Sequence, residues 1–239
     1  MRYALWLYSK RQGDDAIYMS GQLSDLTMYW APSGFDLKLM LEYEAPLEVL
    51  ETFIAQNPAA GSIRTVKYAL AVRLSREDRY EEAAKLYQAI NASVRAPRMR
   101  QLAALYAETK RDDVSELQRQ QARYNFAKFL GDSPNRIYFN DSIWHGYQTY
   151  ALIAESDSTL TAAERKSAIE GERKLKDDQE ELWRAAMIAS EIARTASDKA
   201  MARKSALLAI DCLQRMSERF GRPKEIRQAA NEMLAVLRR

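Results

Sequence analysis

Residues 66–90 read VKYALAVRLSREDRYEEAAKLYQAI, and their spacing is helical. Tyr80, Ala83, Tyr87 and Ile90 recur at intervals of three, four and three residues, which puts them on one side of a helix of 3.6 residues per turn. Leu70 and Leu74 share a side of the preceding stretch by the same rule. The pattern returns toward the C-terminus. Ala206, Ile210, Leu213, Met216 and Phe220 repeat at four, three, three and four residues, and Ile226, Ala230, Met233 and Leu237 continue the series.

Composition points the same way. The chain has 239 residues, with 36 Ala against 6 Val, and its 8 Gly and 6 Pro are about half the average share. Alanine loses no side-chain entropy in a helix, whereas strands favour branched side chains, so an all-α fold with no substantial sheet is expected. Turn residues interrupt the helical pattern at Pro32-Ser33-Gly34, Asn57-Pro58 with Gly61, Arg95-Ala96-Pro97, Gly131-Asp132-Ser133-Pro134 and Gly221-Arg222-Pro223. Those breaks leave room for about ten to thirteen helices. Pro223 suits a helix's first turn, and Thr161 with Glu164 has the spacing of a capping box.

The stretch from Val66 to Ile90 resembles a tetratricopeptide repeat. Leu70 and Ala71 stand where two helices cross closely, Leu74 at the usual Tyr, Ala83 at the small position of the second helix, Tyr87 at its aromatic position and Ile90 at the late small one. The turn Glu77-Asp78-Arg79-Tyr80 is of the same type; Lys67 replaces the usual Trp and Arg95 the usual Pro. Elsewhere the register fails: aligning Trp183 to the first aromatic puts Lys199 at a small position and Arg203 at an aromatic one. The resemblance implies an α-solenoid of antiparallel helical hairpins. Residues 1–58, with Phe35, Leu37, Leu39, Leu41, Leu47, Leu50 and Phe53, form an N-terminal helical segment, and residues 59–239 form a tetratricopeptide-like hairpin array continuous with it.

In such proteins the first helix of each hairpin lines a concave groove. The resemblance therefore implies partner-binding positions at Thr65, Tyr68, Val72 and Arg76, with Tyr68 supplying a ring and hydroxyl, Val72 an apolar floor and Arg76 a forked donor for a carboxylate. The alternative is that Tyr68 and Val72 are core residues under an adjacent hairpin.

No catalytic residue is expected. His145 is the only histidine, four residues after Asp141, and no Ser or Cys nucleophile stands in an elbow motif. Tyr138, Phe139, Trp144, Tyr147 and Tyr150 read as packing between helices, or as an aromatic pocket, with Asn140 or Asp141 as a helix cap. The single cysteine, Cys212, lies between Leu208 and Met216 on an apolar face and reads as buried. No zinc spacing, calcium loop or glycine-rich phosphate loop occurs, so neither metal nor cofactor is expected. From Glu164 to Glu181, twelve of eighteen residues are charged with mixed sign, which predicts a solvated helix carrying its paired acids Asp177-Asp178 and Glu180-Glu181 outward.

Net charge is +3, but residues 199–239 carry ten Lys or Arg against four Asp or Glu, hence +6, and the remainder −3. Nucleic acid is nevertheless disfavoured as a partner, because Phe220 is the one aromatic in that basic stretch. Ala4–Tyr8 is too short for the apolar core of a signal peptide, and no apolar run reaches about 18 residues, so the chain as given is expected to be soluble, with no membrane insertion and no address. The expected function is a non-catalytic interaction or assembly scaffold for a protein or peptide. A second expectation is a helical part or subunit of a larger complex, since Tyr3, Leu5, Trp6, Leu7 and Tyr8 make no polar cap for a solenoid's first repeat.

Overall fold

The computed structural model describes residues 41–42, 45–56, 58, 63–132, 137–140, 161–163, 166, 180–220 and 223–238. Among them are eight helices and no strand: α1 (Leu47–Gln56), α2 (Ile63–Arg76), α3 (Tyr80–Ala89), α4 (Arg95–Thr109), α5 (Glu116–Asp132), α6 (Glu181–Thr195), α7 (Lys199–Phe220) and α8 (Pro223–Leu237). The all-α class follows. The chain divides into two compact units, Met1–Arg100 with Asn140–Gln148, and Gln101–Phe139 with Thr149–Arg239. This division does not coincide with the sequence break at Pro58, across which α1 packs on α2.

In the first unit, α2 and α3 form a helical hairpin closed by the three residues Glu77–Arg79. The turn is built by two backbone bonds, Arg79 N to Leu74 O at 2.9 Å and Asp78 N to Ser75 O at 3.3 Å, with Asp78 in the left-handed region at φ 64°. This is the Schellman ending, in which two otherwise orphaned carbonyls are satisfied as the chain reverses. Asn91 repeats it after α3 at φ 54°, with Ala92 N to Tyr87 O at 2.9 Å and Asn91 N to Gln88 O at 3.0 Å. Asp and Asn tolerate this conformation better than other residues with a Cβ. The repeat-like positions Leu70, Ala71, Leu74, Ala83, Tyr87 and Ile90 are all buried, as are Leu47, Leu50 and Phe53 of α1. The break expected at Arg95–Pro97 lies earlier, at Asn91–Val94. Pro97 sits inside the first turn of α4, where a missing N–H breaks no helical bond.

The second unit centres on α6, which packs most extensively on α7 and also on α5 and α8, while α7 additionally touches α5 and α8. Alanine makes this possible. Ala189, Ala193, Ala206 and Ala209 form a core cluster with Met233, and such small side chains let helix axes approach closely. Helix starts are capped by acids or a hydroxyl. Asp198 Oδ1 accepts from Met201 N at 2.6 Å at the head of α7, and Ser115 with Gln118 forms a reciprocal box before α5, with Ser115 N to Gln118 Oε1 at 2.9 Å and Gln118 N to Ser115 Oγ at 3.3 Å.

Two expectations are corrected here. Gly131 and Asp132 do not break a helix; they complete α5, and Gly131 lies against α7, where an added Cβ would meet Cys212 Sγ at 2.9 Å. Glu180 and Glu181 are not solvated but buried. Glu180 caps α6 by accepting from Leu182 N at 3.4 Å, and Glu181 Oε1 accepts from Tyr138 N at 3.2 Å. The positive end of the α6 dipole and its orphan N–H groups explain the Glu180 cap, whereas Glu181 answers the backbone N–H of Tyr138, outside α6. Apart from the exposed Lys166, the rest of the charged run, including Glu164 of the expected capping box, lies outside the described residues, as do His145, Trp144, Tyr147 and Tyr150.

Candidate functional site

The four expected partner-binding positions are spaced three, four and four residues along α2, so they form one stripe on that helix. Three of its positions, Thr65, Tyr68 and Arg76, are half-buried, and Val72 is buried. Tyr68, also half-buried, meets the Tyr87 ring edge-on at 5.2 Å between centroids and 80° between planes. The Arg95 guanidinium lies 5.5 Å from the Tyr68 centroid and 6.0 Å from that of Tyr87, within the range of cation–π attraction. Val72 is fully buried, which is the core placement rather than an open groove floor.

Arg76 is engaged by a carboxylate, and the carboxylate belongs to the same chain. Its Nη2 donates to Glu42 Oε1 and its Nη1 to the Glu42 carbonyl at 3.0 Å. Glu42 is 0% exposed and the Arg76 side chain 11%. One turn earlier on the same side of α2, Arg73 Nη1 donates to the carbonyl of Ala45. Burial, and then the neighbouring charge of Arg76, hold the Arg73 guanidinium below its usual pKa. Two guanidiniums thus grip the chain ahead of α1 by one carboxylate and two main-chain oxygens. In so dry a site, removing either Arg76 or Glu42 strands the other's charge at a cost of about 3–5 kcal/mol.

The sequence pointed to Arg76 as a fork for a partner's carboxylate; in the structure the fork meets Glu42 of its own chain, and the roles of Arg73, Glu42 and Ala45 were not foreseen. The i to i+3 spacing of Arg73 and Arg76 was a usable signal. Glu42 carried none, because 34 residues separate it from Arg76.

The remaining chemistry is sparse. Cys212 is buried, and burial, followed by the charge of Asp211, pushes its thiol up to about 12, so it stays a thiol rather than a nucleophilic thiolate. Among the described residues no group of three or more His, Cys, Asp or Glu is placed to hold a metal ion, and no helix is long and apolar enough to cross a membrane. Of the C-terminal cations, Lys204 turns to Gln121 and the Tyr124 ring, and Arg215 Nη1 donates to the Gly131 carbonyl at 2.7 Å. Against known proteins, the chain matches no family, and no curated protein or solved structure is similar to it.

Proposed function

We propose that this chain is a non-catalytic interaction module, built from stacked tetratricopeptide-like hairpins, that presents the face of α2 to a peptide or protein partner. One observation carries the reading: α2 holds a segment of polypeptide through a fork on its carboxylate and donors to its main-chain carbonyls, which is the chemistry of peptide recognition. The stacked-hairpin architecture is supported by the three consecutive helices at the end of the second unit, where α6 packs on α7 and α8, and α7 on α8. Contacts with the next helix and the next but one are what a layered hairpin array requires.

Thr65 is the first position of the stripe, about three helical turns from the Arg76 fork, so Thr65→Arg adds bulk and charge to the face without touching that fork. In pull-downs from the source organism read by mass spectrometry, partners captured by the wild type should drop at least about tenfold with a folded Thr65→Arg chain, a loss of roughly 1.4 kcal/mol or more. Equal capture would put the interaction surface elsewhere.

A second reading, a subunit whose apolar surface is completed by other chains, draws on Leu117 of α5, Leu207 of α7 and Leu234 of α8. These are 51%, 53% and 41% exposed, all in the second unit. Under this reading partner capture depends on Leu207 and Leu234 and is indifferent to Thr65.

A further inference from the structure

We infer that the segment carrying Glu42 occupies, within the chain, the very site at which α2 takes a partner peptide, and that the site selects an apolar–acidic pair followed three residues after the acid by a small residue. The inference rests on the reading of α2 as the binding face. Leu41, Glu42 and Ala45 are 2%, 0% and 1% exposed, so each presents its side chain to an enclosed position. Among the described bonds from Arg73 and Arg76 to this segment, those to the Ala45 and Glu42 carbonyls use main-chain oxygens that any peptide offers. The bond from Arg76 Nη2 to Glu42 Oε1 requires a carboxylate. Leu41 and Ala45 supply the apolar and small positions on either side.

The energetics favour exchange over permanence. A buried ion pair adds little net stability, whereas a guanidinium deprived of its carboxylate is costly. The site therefore requires an anion but not a particular chain to supply it. Arg76 Nη2 is already turned to Glu42 Oε1, so an incoming acid takes that place instead of joining it. Tethering gives the internal segment a high effective concentration, and it acts as a built-in competitor that a partner must displace.

The test uses the full chain and a fluorescein-labelled synthetic peptide with the sequence of residues 39–46, LMLEYEAP, followed by fluorescence anisotropy. Wild type binds it weakly, because the site is filled. The Glu42→Gln chain, which keeps the side-chain volume and loses the charge, binds at least about tenfold tighter, as expected when a tethered competitor is weakened. Adding Arg76→Gln abolishes that gain. Equal affinity of wild type and Glu42→Gln, or a gain that survives Arg76→Gln, overturns the inference. If circular dichroism shows Glu42→Gln to be unfolded, amide hydrogen exchange on the wild-type chain in excess peptide decides. Faster exchange across residues 45–50 shows displacement of the internal segment, and unchanged exchange overturns it. A chain that fails this test while Thr65→Arg still releases its partner keeps α2 as the binding face and loses only the ligand class.

Discussion

Asn91 shows how one exposed residue can control a helix end. It holds φ 54°, a conformation in which a Cβ crowds the following carbonyl, and in doing so it lets Ala92 N and Asn91 N satisfy the last carbonyls of α3. Glycine removes the crowding but frees the unfolded chain, and the two effects nearly cancel. Asn91→Gly should therefore change stability by no more than about 0.5 kcal/mol, whereas Asn91→Val should cost about 1–2 kcal/mol despite full solvent access. Urea midpoints of the two variants check this. Equal midpoints would mean that the α3 ending does not depend on the left-handed residue. Arg76 makes the complementary case at this scale, because its charge is paired with the buried Glu42 and its replacement strands that carboxylate.

At the scale of elements, Gly131 lets α5 approach α7 closely. A Cβ on Gly131 would lie 2.9 Å from Cys212 Sγ, 3.6 Å from Leu208 Cδ1 and 3.8 Å from Ala185 Cβ, so only the sulfur contact is prohibitive. Gly131→Ala gains about 1 kcal/mol of helix propensity and meets an overpacking cost of about 1–3 kcal/mol, so it should be net destabilising. Cys212→Ala removes the obstructing atom. In a double-mutant cycle by denaturant unfolding, the pair should couple favourably by about 1 kcal/mol or more, since the alanine methyl then fills the space the sulfur left. Additivity would show that the helices separate to admit the methyl, and the tight α5–α7 contact would no longer explain the glycine. Burial, followed by the charge of Asp211, holds Cys212 as a neutral thiol.

At the scale of the whole molecule, charge asymmetry raises the question of polyanions. Residues 199–239 carry ten cations and four anions, but Lys204 and Arg215 face α5, and the exposed Lys199, Arg203, Lys224, Arg227 and Arg238 are interspersed with Glu225, Glu232 and Asp211. A nucleic-acid site would release counterions on binding and weaken steeply with salt. Fluorescence anisotropy with a labelled duplex and a labelled single strand should show no salt-sensitive binding at about 0.15 M salt. Tight binding that weakens as salt rises would replace the interaction-module reading with a nucleic-acid one.

How much was legible depends on the range of the forces involved. Helical class, the Val66–Ile90 hairpin, the burial of Cys212 and Pro223 at the head of α8 were determined by the sequence itself, because helix periodicity, turn residues and capping act within about one turn of chain. The Ser115–Gln118 box was equally legible and was overlooked. Other features were decided only by tertiary structure. Gly131 reads as a helix breaker until α7 is packed against it, and Glu180 and Glu181 read as solvated until Glu180 is placed on the N-terminus of α6 and Glu181 on the Tyr138 N–H. The Arg76 fork was readable but its occupant was not. Glu42 reaches it across 34 residues, a separation over which the chain backbone imposes no register and only packing selects which carboxylate meets which guanidinium.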